Sequence, residues 1–199
     1  MLSVERQSVT RAFLLVLWAA GIVLGLWKLT AYTSTSAAVV ALPERWPEDT
    51  AIARAFDRPT ILLSLHPRCA CSRATVEELA RLLAQVPVPP RVEVLLYQPP
   101  NASDSWGQTY VVNRARSLPG VRIRPDPEGR ESKRFRLSVS GQTAMYDPDG
   151  NLIFTGGITA ARGHEGDNAG RSAIVSLLLN QQPAVSTTPV FGCSIRDAS

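Results

Sequence analysis

Hydrophobic and polar residues follow three different rhythms along the chain. Residues 12–27, AFLLVLWAAGIVLGLW, contain no charge, and beyond Lys28 the apolar character continues through Leu29, Ala31 and Tyr32. With Lys28 snorkelling, residues 12–32 just cover the roughly 30 Å hydrocarbon layer of a bilayer. Trp18 falls mid-span, whereas Trp27 and Tyr32 sit at one end, where aromatic rings suit the interface. A buried core helix does not fit, because the segment has no polar face and runs into the polar residues 33–36. The alternative is a cleavable signal peptide, with Arg6 and Arg11 as its basic start and Ser36, Ala37 and Ala38 as small residues after it. The apolar run is long for that purpose, so we read one transmembrane helix. Arg6 and Arg11 keep the amino terminus in the cytoplasm, although Lys28 and Arg45 weaken the asymmetry. Either way, the rest of the chain is expected outside.

After residue 58 the rhythm changes. Residues 60–65, TILLSL, form an apolar run of strand length, followed at once by His66-Pro67-Arg68-Cys69-Ala70-Cys71. Val76, Leu79, Leu83 and Val86 then recur at helical spacing to about Gln85, and Pro87, Pro89 and Pro90 stop the helix. Residues 92–97 read as a second strand, and strand–helix–strand implies a parallel pair with a right-handed crossover. A helix is expected over 106–118 with Asp104 as its cap, a strand over 121–124 and a short helix over 128–135. Residues 142–146 and 152–154 flank Asp147-Pro-Asp-Gly150, a hairpin signal. A glycine-rich loop leads to a last helix over 171–180, capped by Asp167 or Asn168. Residues 46–56 are a short helix or an irregular lead-in, and the carboxy-terminal tail has no clear periodicity. The expected division is a cytoplasmic terminus at 1–11, an anchor at 12–32, a tether and lead-in at 33–58, one α/β domain at 59–182, and a tail at 183–199.

Composition narrows the function. With 199 residues, 45% apolar and 19% charged, the chain suits a single folded core. The net charge of +4 is modest, and its densest stretch, residues 114–136, is read as a solvated face. Aromatic residues are not interleaved there and no zinc-finger, zipper or RNA-binding signature appears, so no nucleic-acid partner is expected. The glycines are not in phosphate-loop order. Three cysteines, two of them one residue apart, do not make a structural disulfide framework and point to reactive thiols or metal ligation.

The order strand, cysteine turn, helix, strand, helix, hairpin and final helix over residues 60–180 resembles the thioredoxin fold, preceded here by one transmembrane helix. Asp126-Pro-Glu-Gly129 and Asp147-Pro-Asp-Gly150 resemble the membrane-tethered thiol-disulfide branch of that superfamily. Cys69-Ala-Cys71, Gly157-Ile-Thr-Ala-Ala-Arg-Gly-His164 and Pro189-Val-Phe-Gly-Cys193 together resemble its small RedB-like group. The resemblance implies an extracytoplasmic thiol-disulfide oxidoreductase in a bacterial inner membrane, with a thiol or disulfide protein as partner and no cofactor. Two departures stand out. The pair is Cys-x-Cys where the fold usually has Cys-x-x-Cys, and the customary cis-proline's place falls at Gly141. Gly141, Gln142 and Thr143 then become candidates for contacts to a bound chain.

A thiol at the start of a helix feels the positive end of its dipole and unpaired N–H groups, which favour thiolate. Cys69 and Cys71 are placed for this, and their separation permits a strained, easily reduced disulfide. His66 either relays protons or only completes the turn. In this fold the tail is long enough to return to the cysteine turn, where Cys193 either resolves a mixed disulfide or stays a free thiol. His164 is a further substrate-contact candidate. A second class of function uses Cys69, Cys71, Cys193 and a histidine, His164 foremost, as ligands for copper(I) or zinc. A third is a non-catalytic envelope scaffold.

Overall fold

The uncharged run at the amino terminus is helical. The computed structural model describes residues 2–196, with side chains from residue 10 onward, and α1 spans Leu2–Ser34. Within it Thr10–Ser34 is long and apolar enough to cross a membrane, with mean hydropathy 2.1. The chain divides into two compact units, the first ending at Thr35 and the second beginning at Ser36.

The second unit is built on a five-stranded sheet. Its strands are β1 Thr60–Leu65, β2 Arg91–Gln98, β3 Val121–Pro127, β4 Gln142–Tyr146 and β5 Leu152–Gly157, in the order β3-β2-β1-β4-β5. β1, β2 and β3 run parallel, because α2 (Cys71–Ala84) and α3 (Tyr110–Arg116) carry the chain back between them. β4 runs antiparallel to β1 and pairs with β5 as a hairpin. The short helix α4 (Arg130–Arg134) precedes β4, and α5 (Ala169–Leu178) closes the fold.

β1 is buried along its whole length because the sheet is covered on both faces. The period of two sorts its side chains: Ile61, Leu63 and Leu65 join α2, α3 and α5 in one core, while Leu62 joins Phe135, Ala144 and Tyr146 in another. Trp46 meets Phe135 edge-on at 4.9 Å and Tyr146 at 5.2 Å. Residues expected as tether and lead-in therefore belong to this second core, which also contains Leu42 and Ile52. They fold without a helix at 46–56.

The hairpin turn closes as its residues require. Asn151 N donates to Asp147 Oδ1 at 2.8 Å, and Gly150 takes φ +86°, a left-handed conformation that suits glycine. Asp126 caps α4 by accepting from the amides of Glu131 and Ser132 at 2.8 and 3.1 Å. Asn168 caps α5 by accepting from Arg171 N at 2.7 Å.

α3 differs from expectation, beginning at Tyr110 under a Thr109 cap instead of at Trp106 under Asp104. Trp106 is occupied elsewhere: its Nε1 donates to Tyr97 O at 2.6 Å, which holds the preceding residues in turns. The tail is also ordered in a way no periodicity announces. Residues 186–189 line the edge of β5, with Thr155 N donating to Ser186 O and Thr188 N to Thr155 O, both at 3.1 Å.

Candidate functional site

β1 ends at Leu65 and α2 begins at Cys71, so the intervening turn sets the cysteines against the head of a helix. Cys69 N donates to His66 O at 3.2 Å, and Ser72 N to Cys69 O at 3.1 Å, closing the turn. Two buried serines pin it to the segment before β4. Ser140 Oγ accepts from His66 N at 2.9 Å and lies 2.8 Å from Ser72 Oγ. The residue at the N-cap of α2, Ala70, has no side-chain oxygen to occupy the first-turn amides. The backbone N–H of Cys71 instead reaches the Cys69 sulfur.

Cys193 arrives from the other end of the chain. Ser140 N donates to Cys193 O at 2.8 Å and Ile195 N to Ser138 O at 2.9 Å, so the tail runs antiparallel to residues 138–140. Cys193 Sγ lies 3.3 Å from Cys69 Sγ, and the three sulfurs all fall within 4.8 Å of one another.

Such proximity forces the trio to share one negative charge. It settles on Cys69, the most buried of the three at 4% exposure. The Cys71 thiol donates to its sulfur; the Cys193 thiol and two backbone N–H groups add to this, overcome burial and pull Cys69 down to about 4. Cys71 is pushed up, first because its proton is held by Cys69 and then by burial and repulsion from that anion. Burial pushes Cys193 up, and the same contact adds to it. Arg162 partly opposes both shifts, and its guanidinium also donates to Gly192 O.

His66 is buried, lies parallel to Tyr97 at 5.8 Å and meets Trp106 edge-on at 5.4 Å. Its Nδ1 accepts from Arg68 N at 3.2 Å, and burial lowers its pKa despite the Cys69 anion, so the ring is neutral at pH 7. The Arg68 guanidinium stacks 4.4 Å from the Trp106 ring. Ser72, Ser140, Trp106 and Arg162 are site residues that sequence reasoning did not single out. Only Arg162 carried a signal, since it lies within the Gly157–His164 motif.

No family profile and no curated protein matches the chain, but solved structures do. A hypothetical protein from Sinorhizobium meliloti is similar over 83% of this chain and 100% of its own, at 16% identity and a TM-score of 0.60. An uncharacterized conserved protein from Geobacillus kaustophilus is similar over 83% of this chain and 94% of its own, at 16% identity and a TM-score of 0.58. The exposed lipoprotein thioredoxin of Streptococcus pneumoniae is similar over 70% of this chain and 99% of its own, at 16% identity and a TM-score of 0.43. The parallel strands joined by α2, the antiparallel hairpin and the closing helix, with the cysteines between β1 and α2, decide the architecture. The fold is thioredoxin-like.

Gly141 immediately precedes β4. It adopts φ +91°, its amide donates to Ser64 O at 2.8 Å, and a Cβ there would stand 2.9 Å from Thr75 Oγ1. Gln142 and Thr143 are buried. The Gln142 Oε1 accepts from Ser138 N at 2.9 Å and thereby braces the segment that holds the tail. The side chains of both thus face the protein interior and not a surface open to a bound chain. His164 is exposed and stands outside the group of three thiols. Those thiols are the soft donors that copper(I) prefers, but they supply only three of the four ligands of a closed zinc site.

Proposed function

We propose that this chain is a membrane-anchored thiol-disulfide oxidoreductase of the RedB-like group, working outside the cytoplasm on a thiol or disulfide protein. The observation that carries the reading is the buried Cys69 sulfur at the head of α2, 3.3 Å from that of Cys193 and, with Cys71, part of a trio within 4.8 Å. The apolar Thr10–Ser34 helix supports the anchor.

The steps follow from the charges. Cys69 thiolate attacks one sulfur of a partner disulfide; a Cys69–partner bond forms, and the other partner sulfur leaves with the electron pair and takes a proton from water. Cys193, 3.3 Å away, loses its proton and attacks Cys69, expelling the second partner sulfur. The protein dithiol becomes a disulfide and the partner disulfide becomes two thiols. Run backward, the same steps donate a disulfide. The Arg162 charge favours ionisation of Cys193. Cys71, whose thiol donates a hydrogen bond to Cys69, is the alternative second thiol and stabilises the thiolate meanwhile. His66, neutral with Nδ1 engaged, acts as part of the wall against which the turn is set, not as an acid.

The test is replacement of the second thiol. Cys193→Ser should let a mixed disulfide between Cys69 and a partner accumulate, visible as a reductant-sensitive band. If no mixed disulfide forms in Cys193→Ser, in Cys71→Ser or in the double variant, the proposal fails. A second reading is favoured by one observation, the closeness of the three sulfurs. They would hold copper(I) through thiolate bonds, and the purified reduced chain would then retain close to one equivalent, lost on Cys193→Ser. Metal retention without disulfide exchange decides for that reading.

A further inference from the structure

Two arginines stand in fixed positions at the rim of the thiol site. Arg68 directly precedes Cys69, and Arg73 lies in the first turn of α2, two residues after Cys71. Both are exposed. The Arg68 guanidinium lies 4.4 Å from the centre of the Trp106 ring, and that of Arg73 lies 5.7 Å from the centre of the Tyr110 ring. Trp106 is itself held by its bond to Tyr97 O at 2.6 Å, and the Arg68 backbone by its bond to His66 Nδ1 at 3.2 Å. Stacking on a ring takes up one face of a guanidinium and leaves its planar fork of N–H donors free for a carboxylate.

Neither guanidinium has an acidic partner among the described residues. Glu77, one turn beyond Arg73, is gripped by Nε and a terminal nitrogen of Arg114, both at 3.0 Å. The placement also runs against helix electrostatics, since the head of a helix favours acidic side chains and α2 has none in its first turn. Local stability therefore does not account for cations at these two positions, whereas attraction of an anion does. Arg162 adds a third positive charge beside the thiols. We propose that Arg68 and Arg73 are specificity residues of the thiol site, selecting a polypeptide that bears carboxylates next to its reactive cysteine. The inference rests on the thiol-exchange reading above and names its substrate class. Trp106 and Tyr110 act through the arginines, as positioning residues. Complementary charge speeds encounter and sets register more than it tightens a complex, so the preference should appear in rates and fade with salt.

The test uses the full chain in a neutral detergent and three probes, each a peptide with blocked ends whose cysteine is joined in a mixed disulfide to the same uncharged aromatic thiol. The peptides are Gly-Glu-Cys-Glu-Gly, Gly-Gln-Cys-Gln-Gly and Gly-Lys-Cys-Lys-Gly. Cys69 thiolate attacks the peptide's cysteine sulfur, a Cys69–peptide bond forms, and the aromatic thiolate leaves with the electron pair. Its release is read by absorbance against a Cys69→Ala background, and each rate is divided by that of the same probe with a neutral free thiol. At low salt the glutamate probe should react about three- to tenfold faster than the glutamine probe, and the lysine probe more slowly than either. The ratio should shrink toward one in about 0.5 M salt. Arg68→Gln combined with Arg73→Gln should bring it to about one at low salt, and Trp106→Leu should lower it with both charges kept. Arg68→Lys combined with Arg73→Lys, which keeps the charges but not the stacked fork, should retain part of it. Arg68→Glu should make the lysine probe the faster one. Equal normalised rates for all three probes in the wild-type chain, or a preference unchanged in Arg68→Gln with Arg73→Gln, would overturn the inference and leave thiol exchange standing. No release above the Cys69→Ala background with any probe would end both.

Discussion

Removing the Cys71 thiol tests whether the Cys69 anion is made by its neighbours. Cys69 sits at about 4, whereas an unperturbed thiol titrates near ~8.5, and the proton donated by Cys71 is the largest single cause. A hydrogen bond to a charged group contributes about 1.5–3 kcal/mol, and one pKa unit corresponds to about 1.4 kcal/mol. Cys71→Ala should therefore raise Cys69 by about one to two units, to roughly 5–6. The thiol of Cys193 and two backbone N–H groups remain, so the value should stay below that of a free thiol. The assay is carboxamidomethylation of the reduced chain as a function of pH, with the modified residue located by mass spectrometry. At pH 5 the rate at Cys69 should fall about two- to tenfold in the variant, because its thiolate fraction drops by that factor. An unchanged midpoint in Cys71→Ala, or a wild-type midpoint near the ordinary thiol value, would refute the reasoning.

Because the folded value of Cys69 lies below its unfolded value, the stabilisation is complete above about pH 8.5 and is lost as pH falls toward about 4. The urea stability of the reduced chain should thus rise by about 1 kcal/mol per pH unit across that window relative to Cys69→Ala, and identical pH profiles would contradict it. His66, also lowered, adds a change of the same sign below about pH 6.5 in both proteins. Phe135 is fully buried against Trp46 and Tyr146, so Phe135→Ala should cost about 3–5 kcal/mol in urea unfolding, whereas a loss below about 1 would mean the lead-in is not part of the core. Reporter fusions joined after Ser36 should be active only outside the cytoplasm, and cytoplasmic activity would reverse the orientation.

Elements governed by local chemistry were legible in the chain itself. The run at 60–65, the helical spacing from Val76 to Val86 and the Asp147–Gly150 turn each encode their conformation in adjacent residues. α3 was misplaced because the partner of Trp106 is the carbonyl of Tyr97, which no pattern of apolar positions reveals. β3 runs to Pro127, past its expected end, because residues 125–127 continue the parallel pairing with Leu96, Tyr97 and Gln98 of β2, a partner set by strand order and not by sequence spacing. The Cys69–Cys71 pair was visible from its position after β1. That Cys193, 124 residues from Cys69, reaches it depends on Gly192 fitting against Ser140 and on residues 186–190 lining β5, which are tertiary facts. The same holds for His164, whose motif neighbour Arg162 lies by the thiols while the histidine itself faces solvent.

The most direct test of the central claim is an equilibrium titration of the reduced chain against glutathione, with thiol trapping and peptide mapping at each ratio. The account predicts one reversible two-electron couple at a potential above roughly −300 mV, with Cys69 in the disulfide formed. Thiols that never oxidise reversibly, or a disulfide that excludes Cys69, would contradict it.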